Sequence, residues 1–437
     1  MVIDFNEMLD AYKRILKIPS MSAKGTGINE AASFLKALLK NMGIKSEIIQ
    51  TSGNPVVYGE YFTGAPKTLL VYNHYDVQPI DPENEWTHEP FAASEDNGRI
   101  YARGAADNKG TLMARIFGIE KALENNELHV NLKFLYEGEE EIGSPNLKEF
   151  IVKNKDRFAA DDVIMEGSQV GEENRPVIAL GVKGLLYVEL KSRTGTTDLH
   201  SSLAAIAPSP AWNLINALYS VYDNNKVEIP GFYDNITPLS NNDLNILKDY
   251  PFNIERMKSS YGLKNFMFDD KERIIRELFT SPTCNIAGIR SGYAGEGAKT
   301  VLPAEAKAKV DFRLVPDQDP EIIFNSMKEY LRKMGFDLEM NTLGMEYPVR
   351  TAPDTELAQK MISSAIKTYG RKPIIMLNSP GTQPMDLFTR ELGIKNAVSA
   401  IGVGDNISKA HAPDESISME NFRLAIEHTK NFLSEFQ

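Results

Sequence analysis

Leu132-Lys-Phe-Leu-Tyr-Glu-Gly-Glu-Glu-Glu-Ile-Gly-Ser144 reads as a buried strand that runs straight into acid. Leu132, Phe134 and Leu135 form a short apolar run closed by a turn signal, which suits a strand. Glu137, Glu139, Glu140 and Glu141 follow at once. Carboxylates crowded at the end of a buried strand repel one another and resist desolvation unless a cation neutralises them. A solvated acidic turn is the plain alternative. This stretch alone does not decide between the two, but other strand ends stop in residues of the same kind.

Thr68-Leu-Leu-Val-Tyr72 is a second buried strand and leads into Asn73-His-Tyr-Asp-Val-Gln-Pro79. His74 and Asp76 stand two apart, so on a strand they share a face. A carboxylate holding one ring nitrogen frees the other for a metal; a plain His–Asp hydrogen bond is the alternative. Residues 99–124 read as strand, glycine-bounded loop and helix, with Asp107 in the loop. A carboxylate there also suits a helix N-terminus. A strand over 162–165 ends at Glu166-Gly167, where a lone Glu is ordinarily solvated. A strand over 397–403 opens the loop that carries His411, and a helix of about 418–435 closes the chain.

Amphipathic helices are expected over 4–18 and 28–42, and strands near 45–50 and 56–62. Alternating strands and helices predict an α/β domain, its mostly parallel sheet covered on both faces. Ligands in such sheets collect at the carboxyl ends of the strands. His74, Asp107, Glu139, Glu140, Glu166 and His411 all fall there. Two imidazoles with three of these carboxylates suit one or two zinc ions, and a pair about 3.5–4 Å apart needs a bridging carboxylate.

The middle of the chain differs. A half-exposed strand over 185–191, a helix over 211–222, strands near 283–289 and 306–314, a helix over 320–334 and a strand over 337–343 make an inserted α+β unit. Residues 223–280 are expected to be irregular apart from a helix around 269–278. The expected division is 1–183 and 351–437 for the catalytic domain, with 184–350 between them.

The 437 residues are 42% hydrophobic and 25% charged, as in an ordinary soluble globular protein. A net charge of −12 argues against nucleic-acid and anionic-membrane partners. The one cysteine, Cys284, excludes an intrachain disulfide and cysteine-based zinc sites, and it fits a reducing cytoplasm. No membrane span or secretory leader is expected. No Gly-x-Ser-x-Gly elbow is present, and Cys284 sits inside a predicted strand, which disfavours a serine or cysteine hydrolase.

Over nearly its whole length the chain resembles the zinc exopeptidase family of carnosine dipeptidase, glutamate carboxypeptidase, aminoacylase, acetylornithine deacetylase and succinyl-diaminopimelate desuccinylase. The carrying motifs are His74-Tyr-Asp-Val-Gln-Pro79, Tyr101-Ala-Arg-Gly-Ala-Ala-Asp-Asn-Lys-Gly110, Glu137-Gly-Glu-Glu-Glu-Ile-Gly-Ser144 and the loop around His411. Asp198-Leu-His-Ser201, Gly297-Ala-Lys-Thr-Val-Leu-Pro303 and Phe312-Arg-Leu-Val-Pro316 look most like the cytosolic dipeptidase branch.

The resemblance implies a di-zinc exopeptidase fold, a mixed sheet with helices on both faces, and an inserted lid and dimerisation domain. It implies two zinc ions, with cobalt or manganese as substitutes. Asp107 bridges them; His74 and Glu166 complete one ion, and Glu140 and His411 the other. Glu139 is the implied general base, Asp76 the partner of His74, and a cis peptide is implied at Asp107–Asn108. His200 is expected to reach the partner subunit's site in a homodimer, Arg313 to clamp the substrate carboxylate, and Thr382 to touch substrate. Glu166 stands where dipeptidases of the family usually have Asp, which favours the carboxypeptidase and deacylase branches. The expected function is hydrolysis of dipeptides or short peptides with a free C-terminal carboxylate. The alternatives are an N-acyl amino acid deacylase and a non-catalytic peptide-binding relative.

Overall fold

A computed structural model describes residues 4–437. Its largest element is an eight-stranded mixed sheet. The order across it is Lys45–Ile49, Val56–Tyr61, Asn131–Glu137, Thr68–His74, Asp162–Met165, Asn396–Ser399, Val177–Ala179 and Ile374–Met376. The strands around Thr68–His74 run parallel, and antiparallel pairs lie to either side. The edge pair Val177–Ala179 and Ile374–Met376 is parallel again, so the sheet is mixed, as the resemblance implied.

Leu69 and Val71 face one side of this sheet, Leu70 and Tyr72 the other, and all four are buried. Each face has its own core. Leu69 and Val71 pack with Val57, Phe134, Ile164 and Val398 beneath helices that include Phe5–Leu16, Gly110–Glu124 and Met419–Glu435. Leu70 and Tyr72 pack with Tyr58, Leu135, Val163 and Ala397 beneath Leu147–Lys153 and Leu387–Glu391. Burial on both faces is why the central strands read as continuous apolar runs.

The second sheet is antiparallel, in the order Thr283–Ser291, Glu305–Leu314, Gly184–Arg193 and Glu339–Glu346. It buries one face. Leu186, Val188, Leu190, Val310 and Phe312 pack against helices Pro210–Val221 and Pro320–Lys333. Its edge strand Thr283–Ser291 is exposed along most of its length, including Ile286 and Ile289.

Two local expectations need correction. Residues 223–280 hold three helices, Asn241–Lys248, Ile254–Tyr261 and Lys271–Thr280. A capping box of Ser240 and Asp243 starts the first. The strand expected over 397–403 stops at Ser399, because Ile401 takes a left-handed φ of 59°. Among the described residues no helix is long and apolar enough to cross a membrane.

Candidate metal centre

His74 ends its strand fully buried. Its Nδ1 lies 3.1 Å from the Asp76 carbonyl oxygen and 3.4 Å from Asp76 Oδ1. That leaves Nε2 facing Asp107 Oδ1 at 3.1 Å and Glu166 Oε2 at 2.9 Å. Asp107 sits in the turn Ala105–Lys109, and its peptide bond to Asn108 is cis. Its second oxygen, Oδ2, lies 3.0 Å from His411 Nε2. Glu141 Oε2 is 3.1 Å from the same nitrogen. The donors therefore fall into two groups, His74–Asp107–Glu166 and Asp107–Glu141–His411, each within 4.8 Å and sharing Asp107.

The acidic turn differs from expectation by one residue. Glu141, and not Glu140, stands with Asp107 and His411. Glu139 is turned away: its carboxylate accepts the Asn54 amide at 2.9 Å and the Asn146 side-chain amide at 2.9 Å. Glu140 Oε2 lies 3.9 Å from His74 Nε2, and its carboxyl feels the charges of Glu166, Asp107 and Glu141. The reason is local. Glu139, at φ −140° and ψ 10°, is neither extended nor helical, and the tight turn Glu140–Ile142 begins only after it. Three consecutive glutamates left that register open, since a slip of one residue redirects every side chain.

Burial works against the Asp107 charge, yet His411 and His74 hold its carboxyl well below the usual range. Asp107 and Glu141 push His411 up to about 10. Burial opposes a charge on His74, but Glu166, Asp107 and Asp76 raise its pKa well above the ordinary value. Burial and Glu166 push the Glu140 carboxyl up to about 9. Burial also raises Glu166, against the pull of His74. The cluster is thus acid-rich, and its carboxylates favour the protonated form of both imidazoles. Divalent cations replace such protons when they bind. Glu166 Oε2, which faces His74 Nε2, and Glu141 Oε1, which makes no hydrogen bond to a described residue, are both buried. These atoms and the nitrogen-and-oxygen donor set fit a pair of divalent cations.

Glu415 holds the Asp107 turn in place and was missed from sequence. Fully buried, it accepts the amides of Gly104, Ala106 and Asp107 at 3.0, 2.8 and 3.0 Å, and Arg103 Nη1 at 2.7 Å. The only signal was its place four residues after His411, before the short strand Ser416–Ser418.

Arg313 Nη1 donates to Thr382 Oγ1 at 2.6 Å, which joins the inserted sheet to the 381–384 loop. His200 is exposed on the short strand Leu199–His200. Its Nδ1 accepts the Ser202 amide at 3.2 Å, and its Nε2 makes no hydrogen bond to a described residue. The chain's own His200 is therefore not tied into the metal cluster.

The model of peptidase family M20/M25/M40 matches residues 70–435. Human Beta-Ala-His dipeptidase is 31% identical over 398 residues, covering 87% of this chain and 77% of that protein. The Cys-Gly metallodipeptidase dug1 of Schizosaccharomyces pombe is 28% identical over 447 residues, covering 96% and 94%. The crystal structure of the M20 family metallo-carboxypeptidase Sso-CP2 from Sulfolobus solfataricus superposes with a TM-score of 0.92 at 49% identity, covering 99% of each chain.

Proposed function

The chain belongs to peptidase family M20/M25/M40 and is a metal-dependent peptide hydrolase; on that premise we propose a two-zinc exopeptidase acting on dipeptides and short peptides with a free C-terminal carboxylate. One observation carries the two-ion reading: Asp107 turns one oxygen to His74 and the other to His411. A carboxylate so placed suits two cations at once.

In this reading His74, Asp107 and Glu166 hold one ion, and Asp107, Glu141 and His411 hold the other. When bound, the ions supply Lewis acidity, polarising an amide carbonyl and making water acidic near neutral pH. Glu140 is the base: its carboxylate feels the charges of both groups, accepts a proton from water and returns it to the leaving amine. Asp76 orients His74, and Glu415 fixes the turn that presents Asp107. Arg313 clamps the substrate's carboxylate with its planar fork, and Thr382 orients that guanidinium.

Residues 184–350 act as lid and dimerisation unit in this proposal. Trp212 and Tyr219 on Pro210–Val221 are exposed, as are Ile286 and Ile289 on the edge strand. Apolar side chains beside an open sheet edge suit a second copy of the chain. His200 then steadies the oxyanion in the partner's site. The single cysteine fits a cytoplasmic setting.

The test is metal analysis of the reconstituted protein, with dipeptides, C-terminally amidated peptides, and acetyl- and succinyl-amino acids assayed side by side. Two zinc ions per chain and hydrolysis confined to free-carboxylate peptides are expected. Preference for acyl-amino acids would replace the peptidase reading with a deacylase, and fewer than two ions would remove the two-ion centre.

A further inference from the structure

Arg115 lies in helix Gly110–Glu124 and is 1% exposed. Nη1 donates to the Tyr72 carbonyl at 3.1 Å and to Asn73 Oδ1 at 3.0 Å. Nη2 donates to the carbonyls of Met165 and Ala400, each at 2.6 Å. No acceptor is a carboxylate, so this buried cation donates its hydrogen bonds only to neutral oxygens, with Glu166 as the nearby charge that favours it. Desolvating a guanidinium in that way is costly, and an apolar side chain could fill the space.

The acceptors have a common position. The ladder between Thr68–His74 and Asp162–Met165 ends at the pair Val71 and Ile164. The ladder between Asp162–Met165 and Asn396–Ser399 ends at Met165 and Ser399. Arg115 takes the carbonyls of Tyr72, Met165 and Ala400 at or just past those last pairs, where three parallel strands separate. Asn73 precedes His74, and Met165 precedes Glu166. The Asn73 side chain also bonds that of Asn108, next to Asp107.

We propose that Arg115 is a positioning residue that sets the spacing between His74 and Glu166, and through it the affinity for the ion they share with Asp107. The proposal rests on the metal centre described above. It predicts an asymmetry, because Arg115 bonds the residues directly before His74 and Glu166, whereas Glu141 and His411 lie on turns it does not touch.

The test uses Arg115→Lys, which keeps the charge but loses the planar fork. Zinc is titrated into metal-free protein in two backgrounds. Glu141→Ala leaves the His74 group, and Glu166→Ala leaves the His411 group. Arg115→Lys is expected to weaken zinc binding roughly tenfold or more in the first background and less than about twofold in the second. Equal weakening in both, or none in either, would overturn the proposal. If Arg115→Lys does not fold, Asn73→Ala removes one acceptor and the link to Asn108. It must show the same asymmetry for the proposal to stand. Wild-type protein that bound fewer than two ions would overturn the metal centre itself; two ions held equally well with and without the guanidinium would overturn only the role of Arg115.

Discussion

Asp76 Oδ2 accepts the Glu141 amide at 3.1 Å. Its Oδ1 accepts the Glu140 amide at 3.2 Å and lies 3.4 Å from His74 Nδ1. One buried carboxylate thus fixes both the imidazole and the turn bearing Glu140 and Glu141. Asp76→Ala should weaken zinc binding by about 10- to 100-fold, as expected for a group that orients ligands. Competition titration with a chelating dye measures it, and unchanged affinity would show that the turn and the imidazole hold their places without Asp76.

The three adjacent glutamates should separate cleanly. Glu140→Gln should keep both ions and lower kcat by roughly 100- to 10,000-fold. Glu141→Gln should lose one ion. Glu139→Gln should keep ions and most activity, because Gln still offers an oxygen to the Asn54 amide. Metal content and kcat measured on all three decide the matter. A Glu139→Gln enzyme that keeps its metal yet is as slow as Glu140→Gln would restore Glu139 as the base.

How far the sequence carried these assignments depends on the range of the forces involved. That His74, Asp107, Glu166 and His411 gather in one place was legible because each follows a strand or loop signal set by local pattern. The choice among Glu139, Glu140 and Glu141 was not, because it turns on the backbone that Glu139 adopts before the turn and on amides that Asp76 accepts from 64 and 65 residues away. Arg115 and Glu415 were invisible for a similar reason. Most of their partners are backbone groups, which leave no trace in side-chain spacing. The helices Asn241–Lys248 and Ile254–Tyr261 are a different failure, since the caps Ser240 and Asn253 were present and went unread.

Arg313 should decide which end of a peptide is accepted. Arg313→Ala should raise KM for a free-carboxylate dipeptide more than it lowers kcat, if the contact is equal in ground and transition states. It should also narrow the gap between that dipeptide and its C-terminal amide. Steady-state kinetics on the pair of substrates measure both effects, and an unchanged ratio would remove Arg313 from carboxylate recognition.

His428 offers a pH test remote from the metals. It is fully buried in helix Met419–Glu435, and burial pushes its pKa down to about 4 from 6.5. Between those values the unfolded chain binds a proton that the folded one does not. Stability should therefore be whole above pH 6.5 and fall as the pH drops towards 4. A shift of this size corresponds to something on the order of 3 kcal/mol. Urea unfolding of the wild type and of His428→Gln across this range isolates the effect. The variant should lack that part of the slope, and parallel profiles would mean that His428 is charged in the fold.

The exposure of His200 makes the proposed partner contribution open to a mixing experiment. Alone, His200→Ala should lose oxyanion stabilisation, with kcat falling by roughly 100- to 1,000-fold. Alone, Glu140→Gln lacks the base. In a mixed dimer the His200→Ala subunit keeps its own Glu140 and receives an intact His200 from the other chain. Activity should therefore reappear when the two inactive proteins are unfolded together and refolded. Were His200 to serve its own subunit, every site in the mixture would lack one group or the other, and no activity would return. Glu140→Gln mixed with Glu141→Gln is the control: both lesions lie in the chain's own cluster, so that pair should stay inactive.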